Sequence, residues 1–114
     1  MALEKIYAQI TCTDLAVSEE WYARLLGRSP DVRPMQGLVE WHHPDSAGLQ
    51  LFLNPENAGH NTITLIVSGL REEHDRLVKS GLGPGDIEAA TTTSLVRISD
   101  PDGNLVVLAQ PGRA

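Results

Sequence analysis

The chain repeats one order of secondary-structure elements, and this repeat constrains its fold more than any single motif does. In the first half, alternating apolar and polar residues predict a strand, Asp14 is suited to cap a helix, and Gly27 is suited to end it. Turn signals then divide the remainder into short strands. The expected elements are a strand over 5–13, a helix over 15–26, and strands around Val32, over 38–42 and over 49–53.

After a polar connector, the same order begins again at an offset of about 55 residues. The expected elements are a strand over 62–67, a helix over 70–78 that ends at Gly81, and strands over 87–91, 95–99 and 105–109. Each half therefore reads β-α-β-β-β. We expect one α+β domain over 1–114, built from a first module over 1–54 and a second over 60–114.

Two turn signals precede apolar strands. The run Asp100-Pro101-Asp102-Gly103-Asn104 leads into 105–108, and Pro44-Asp45 leads into 49–53. In both, proline presets a turn angle and aspartate can bond to the backbone that follows. Each turn is therefore expected to feed a strand.

Composition and charge restrict the function classes. The chain is 41% hydrophobic and 21% charged, as in ordinary globular proteins, and its formal net charge of -6 disfavours binding to nucleic acid or an anionic membrane surface. Its one cysteine, Cys12, has no internal partner, and no apolar run is long enough to span a membrane. A cytoplasmic protein with no nucleic-acid or membrane partner is expected.

The ordered set of motifs resembles the vicinal oxygen chelate superfamily, which includes glyoxalase I, bleomycin-resistance proteins and extradiol dioxygenases. The segments that carry this resemblance are Asp14-Leu15, Trp21-Tyr22, Leu26-Gly27 and the 100–104 turn. The resemblance implies an incomplete barrel of two βαβββ modules. It also implies a concave pocket, which holds a divalent metal in the enzymes, and a homodimer.

The resemblance places the superfamily's metal-ligand positions on Tyr7, Gln50, Thr62 and Val107. Only Gln50 has a side chain suited to coordination, and divalent metals need several imidazole, carboxylate or thiolate donors. We therefore expect no metal, no other cofactor and no catalytic residue.

Strand alternation and the resemblance together nominate a set of ligand-binding side chains. Two of them have a second interpretation: Trp41 is equally suited to the core, and Arg97 is more simply a surface cation than a group that recognises an anion. The nominated residues are Tyr7, Gln9, Thr11, Trp41, Gln50, Phe52, Thr62, Thr64, Arg97 and Val107.

Other reactive side chains have simpler interpretations. Cys12 lies on an apolar strand face and is expected to be an inert buried thiol. His42 and His43 are adjacent in a strand, so they point to opposite faces and cannot share a metal. His60 is expected to be exposed, and His74 to be partly buried under the second helix.

Three functions stay open. The favoured one is a metal-free protein of bleomycin-resistance type that sequesters a partly apolar organic molecule. The alternative is a metal-dependent lyase, dioxygenase or thiol transferase with an atypical site. The third is a module that binds another chain and fills its own pocket with side chains.

Overall fold

The structure is a computed structural model that describes residues 1–44 and 46–112; Asp45, which the sequence places in a turn, lies outside the described residues. The first half contains β1 (Ile6–Cys12), α1 (Leu15–Leu26), β2 (Val32–Met35), β3 (Leu38–His43) and β4 (Ala47–Leu53). The second half contains β5 (Thr62–Ile66), α2 (Leu70–Lys79), β6 (Glu88–Ala89), β7 (Thr93–Ser99) and β8 (Leu105–Pro111).

Each half folds into a four-stranded open sheet with the same topology. The strand orders are β1-β4-β3-β2 and β5-β8-β7-β6. In each sheet the first strand runs parallel to the last, and the remaining neighbours are antiparallel. The predicted fold of two βαβββ modules is confirmed.

Helix α1 begins and ends at the residues that the sequence indicates. The Asp14 side chain accepts a hydrogen bond from the backbone N–H of Val17, and Gly27 ends the helix in the left-handed region at φ 78°. Its buried residues recur at helical spacing and form one face: Ser18, Trp21, Tyr22 and Leu25.

One predicted strand is much shorter than expected. The range 87–91 ends at the first of three consecutive threonines, which have high strand propensity, yet only Glu88–Ala89 pairs. The chain turns immediately afterwards, where the Ala90 N–H donates to the carbonyl oxygen of Thr93 at 2.8 Å. This turn sends β7 back along the sheet and overrides the propensity of the threonines.

Both helices pack against one continuous core. The core takes one side of each sheet, with β1 contributing Ile10 and Cys12 and β8 contributing Val106 and Leu108. Burial, and after it the nearby Asp102 carboxylate, raise the pKa of the Cys12 thiol to about 11. The prediction that Cys12 is buried is confirmed.

The turn at 100–104 fastens the second half to the first. Asp100 accepts a hydrogen bond from the Tyr22 hydroxyl at 2.7 Å, and Asp102 accepts one from the Thr13 hydroxyl at 2.6 Å. Asn104 is fully buried and donates to the backbone carbonyl of Thr11 at 3.0 Å. The turn therefore feeds β8, as predicted, and also joins the two modules.

The two helix C-termini are capped by arginines from the opposite helix. Arg76 of α2 donates to the carbonyl oxygen of Arg24 at 2.8 Å, and Arg24 donates to that of Ser80 at 2.6 Å. A cation at a helix C-terminus is favourable because the last carbonyl groups carry partial negative charge. His74 is half-buried and bonds to the Gly85 carbonyl at 2.9 Å, as expected for a histidine under α2.

Neither helix in the described ranges, 1–44 and 46–112, combines the length and the apolar content that a membrane span requires.

Candidate functional site

The first sheet has one side in the core and one side that no helix covers, which we call its open face. Strand alternation and register decide which side chains reach this face. Gln9 lies opposite Gln50, and Gln50 lies opposite Glu40. The side chains on the open face are therefore Tyr7, Gln9, Thr11, Leu38, Glu40, His42, Gln50 and Phe52.

Hydrogen bonds connect the polar side chains of the open face across three strands. Gln9 Nε2 donates to Gln50 Oε1 at 3.0 Å, and Gln50 Nε2 donates to Glu40 Oε2 at 2.7 Å. The second carboxylate oxygen of Glu40 lies 3.0 Å from His42 Nε2. Glu40 is only 8% exposed, so this network has a buried carboxylate at its centre.

The surroundings of Glu40 favour its ionised form. Burial by itself would raise the pKa of Glu40. Hydrogen bonds from His42, Gln50 and the Tyr7 side chain act in the opposite direction and outweigh it, so the pKa lies below its ordinary value. Glu40 is therefore a carboxylate anion at neutral pH.

The Tyr7 ring lies flat over a glycine on the neighbouring strand. Gly48 pairs with Tyr7, and a Cβ atom built at Gly48 would lie 2.5 Å from ring atom Cε1. The ring also meets the His42 imidazole edge-on, with centroids 6.1 Å apart, and the Lys5 ammonium lies 5.7 Å from its centre. The absence of a side chain at position 48 thus allows Tyr7 to reach Glu40 and His42.

The open face of the second sheet is poorer in polar contacts. Three nominated residues lie side by side on this face, because Thr64 pairs with Val107 and Val107 pairs with Arg97. Thr62 lies on the same face of β5. Arg97 is an exposed side chain that pairs with Glu88 at 3.3 Å. This pairing supports the interpretation of Arg97 as a surface cation.

The residues at the implied metal positions do not fit a metal ion. Val107 has no donor atom, and Tyr7 and Thr62 offer only neutral hydroxyl groups. Across 1–44 and 46–112, no group of three or more His, Cys, Asp or Glu side chains could hold a metal. His60 is exposed, as predicted, and belongs to no such group.

A separate cleft of about 470 Å³ lies between the first sheet and β5. Its volume falls in the range of small-molecule pockets. Of the nominated residues it includes Trp41 and Thr64, but neither Tyr7 nor Gln50. It is lined by Ala8, Leu26, Arg28, Trp41, His42, His43, Ala47, Gly48, Leu49, Thr64, Leu65, Ile66 and Val67.

Trp41 and Phe52 lie on opposite sides of the first sheet, so they do not form one aromatic wall. Trp41 pairs with Leu49 on the core side of the sheet, whereas Phe52 pairs with Leu38 on the open face. The indole is 2% exposed, and its N–H donates to the Arg28 carbonyl at 2.9 Å. Trp41 therefore belongs to the core, and its edge borders the cleft.

Two polar residues of the open face were not nominated from the sequence, Glu40 and His42. The signal was available, because residues 38, 40 and 42 alternate with the apolar residues Val39 and Trp41. The hairpin register that sets Glu40 against Gln50 was needed to recognise them as one cluster.

The similarity of this chain to known proteins is found among solved structures. No family model matches the sequence, and no curated protein matches it. A glyoxalase/bleomycin resistance protein from Catenulispora acidiphila is similar, with a TM-score of 0.85 and 27% identity over 94% of this chain and 97% of that chain.

Two further solved structures share the fold at lower identity. TnmS3, an antibiotic binding protein from Streptomyces sp. CB03234, has a TM-score of 0.83 and 18% identity over 98% of this chain and 99% of that chain. Lactoylglutathione lyase from Agrobacterium tumefaciens has a TM-score of 0.76 and 16% identity over 92% of this chain and 91% of that chain. The fold thus occurs in binding proteins and in enzymes.

Proposed function

We propose that this chain, which belongs to the vicinal oxygen chelate superfamily, binds a small, partly apolar organic molecule without a metal ion. The observation that carries the proposal is the network around Glu40, which arranges Tyr7, Gln9, His42 and Gln50 on one open sheet face. A few fixed polar groups beside an aromatic ring are typical of small-molecule sites.

The chemistry of the implied metal positions supports binding rather than metal-dependent catalysis. Lewis-acid catalysis needs a metal held by several strong donors, and Val107 and Thr62 supply none on the second sheet. An antibiotic binding protein shares the fold, which supports the use of such a sheet for sequestration. The free, buried Cys12 is compatible with a reducing cytoplasm.

A metal-dependent enzyme is the second candidate, because a lactoylglutathione lyase and an oxidase share the fold. Elemental analysis of untagged protein separates the two candidates. The proposal expects less than one tenth of an equivalent of transition metal per chain after purification from medium supplemented with zinc, manganese, iron or nickel, roughly the trace level of adventitious binding. One retained equivalent, with activity lost to a chelator, would support the enzyme.

We also propose that a second copy of the chain completes the site, because the open face of the second sheet carries an exposed apolar side chain. Ile66 is 67% exposed at the end of the second sheet's face, and Thr62 and Thr64 beside it are exposed as well. Sedimentation velocity over a range of concentrations tests this. A dimer that dissociates when Ile66→Glu is introduced supports the proposal, and a monomer at all concentrations contradicts it.

Binding is tested by screening compounds that have an apolar body for those that raise the melting temperature of the protein. The affinity of each compound that does so is then measured by calorimetry. Tyr7→Ala should weaken binding at least about tenfold, because it removes the ring and one hydrogen bond to Glu40. Thr91→Ala, in an exposed turn of the second half, is the matched control and should leave affinity unchanged.

Indole emission distinguishes the open face from the cleft, because Trp41 borders the cleft and neither Trp41 nor Trp21 lies on the open face. A ligand on the open face should leave that emission nearly unchanged. Strong quenching together with normal affinity in Tyr7→Ala would place the ligand in the cleft and overturn the proposed location.

A further inference from the structure

The buried carboxylate of Glu40 fixes the direction of every hydrogen bond in the network. An ionised carboxylate only accepts hydrogen bonds, so the Gln50 atom beside it must be the amide nitrogen. The Gln50 oxygen then faces Gln9, which must donate with its own nitrogen. The same reasoning requires His42 to donate from Nε2.

The atoms left over by this arrangement are acceptors. Gln9 has its amide oxygen free of the network, and Nδ1 of the His42 ring is a second acceptor in the neutral imidazole. No side chain or backbone group in 1–44 or 46–112 donates to either atom. His42 is a third exposed, so its ring reaches solvent. A ligand on this face therefore meets two acceptors in front of an anion.

Cations of the chain itself do not neutralise this face. Arg28 pairs with Asp31 at 2.8 Å, and Arg97 pairs with Glu88. The Lys5 ammonium lies over the Tyr7 ring, 5.7 Å from its centre. A cation within about 6 Å of a ring centre is attracted to the ring face. The position of Lys5 shows that the patch accommodates a positive charge.

We propose that the open face of the first sheet selects ligands that carry a cationic N–H donor, a protonated amine or a guanidinium, on an apolar body, and that Glu40 and His42 determine this selectivity. The inference rests on the proposed function and names its ligand class. Glu40 supplies the charge, His42 and Gln9 supply the acceptors, and the Tyr7 ring supplies a surface for the cation and the apolar body.

Three probes with one apolar body test the selectivity on the unmodified chain. They are 2-naphthylmethylamine, its quaternary trimethylammonium analogue, and 2-naphthalenemethanol. The amine should bind at least about tenfold more tightly than the alcohol, since a hydrogen bond to a charged group contributes more than a neutral one. The quaternary analogue has the charge but no N–H, and it should fall between the two.

Variants assign the selectivity to its residues. Glu40→Gln should reduce the amine's preference over the alcohol to within about threefold, and His42→Phe should reduce the advantage of the amine over the quaternary analogue. Lys5→Ala should tighten binding of the amine by removing a competing cation. The control Glu72→Gln removes one negative charge from an exposed position on α2 and should leave all three affinities unchanged.

The outcomes separate the two proposals. Equal affinity for all three probes, or an equal loss of preference in Glu72→Gln and Glu40→Gln, overturns the selectivity and leaves the proposed function intact. Failure of all three probes to bind overturns the selectivity, whereas the proposed function fails only if the compound screen also finds no ligand. The comparison on the unmodified chain decides the question even where a variant does not fold.

Discussion

Replacing Asn104 should destabilise the protein more than any other single asparagine substitution in the described chain. The side chain is fully buried and makes three hydrogen bonds. It donates to the Thr11 carbonyl at 3.0 Å and to Asp100 at 2.8 Å, and it accepts from the Asn61 N–H at 2.9 Å. These contacts join β1, the connector and the 100–104 turn.

The magnitude follows from the groups that Asn104→Ala leaves without partners. The Thr11 carbonyl and the Asn61 N–H each lose a partner, at a cost of about 1 to 3 kcal/mol per buried group. The expected loss is roughly 2 to 6 kcal/mol in the free energy of unfolding, a large part of the 5 to 15 kcal/mol typical of a domain.

Urea denaturation followed by circular dichroism measures this loss. The urea concentration at the midpoint should fall, while the slope of the unfolding free energy against urea concentration stays constant. The slope is constant because unfolding exposes the same surface area in both proteins. The control is Asn57→Ala, an exposed position whose side chain makes no hydrogen bond within 1–44 or 46–112, and it should cost less than about 0.5 kcal/mol. A loss below about 1 kcal/mol in Asn104→Ala would refute the reasoning that this turn fastens the two modules.

Three further predictions concern single contacts. Gly48→Ala should cost about 1 to 3 kcal/mol, because its methyl group collides with the Tyr7 ring, and a double-mutant cycle should show a smaller cost in a Tyr7→Ala background; equal costs would contradict the collision. Burial beside Asp100 raises the pKa of Tyr22, so its contribution is complete below about pH 10 and is lost as pH rises further; stability measured from pH 8 to 11 should fall less steeply in Tyr22→Phe. The Cys12 thiol should resist iodoacetamide at pH 8 in the folded protein and react once urea unfolds it, and rapid labelling without urea would contradict its burial.

The order of elements could be predicted from the sequence because each element has a local physical signal. Asp14 and Gly27 bound α1 through capping geometry, and alternation identified β1 and β5. The strand at 87–91 is shorter than predicted because pairing depends on where the chain turns, and strand propensity does not encode the hydrogen bond from Ala90 to Thr93 that makes this turn.

The site was predicted less completely than the fold because it depends on register between strands. Alternation correctly placed Gln9 and Gln50 on one face of the sheet. The register of β3 against β4, which alternation does not give, places Glu40 beside Gln50. From the sequence Trp41 was equally suited to the core and to the pocket, and the side of the sheet that the helices cover, which its own strand does not reveal, assigns it to the core. A sequence pattern shows which residues of one strand share a face. A binding site also depends on the register between strands, which decides which of those residues lie side by side.

Alternation also separates what stabilises this protein from what is proposed to bind its ligand. Ile10 and Cys12 face the core, and Gln9, between Ala8 and Ile10 on the same strand, faces outward and is exposed. Substitution of most open-face residues can therefore change the ligand with little effect on the core, which is how one fold supports many functions. Glu40 is the exception, because its buried carboxylate accepts the hydrogen bonds that orient its neighbours. Any chain that loses Glu40 must find new partners for those donors, so the identity of the residue at position 40 links the stability of this sheet to the charge of the ligand that it accepts.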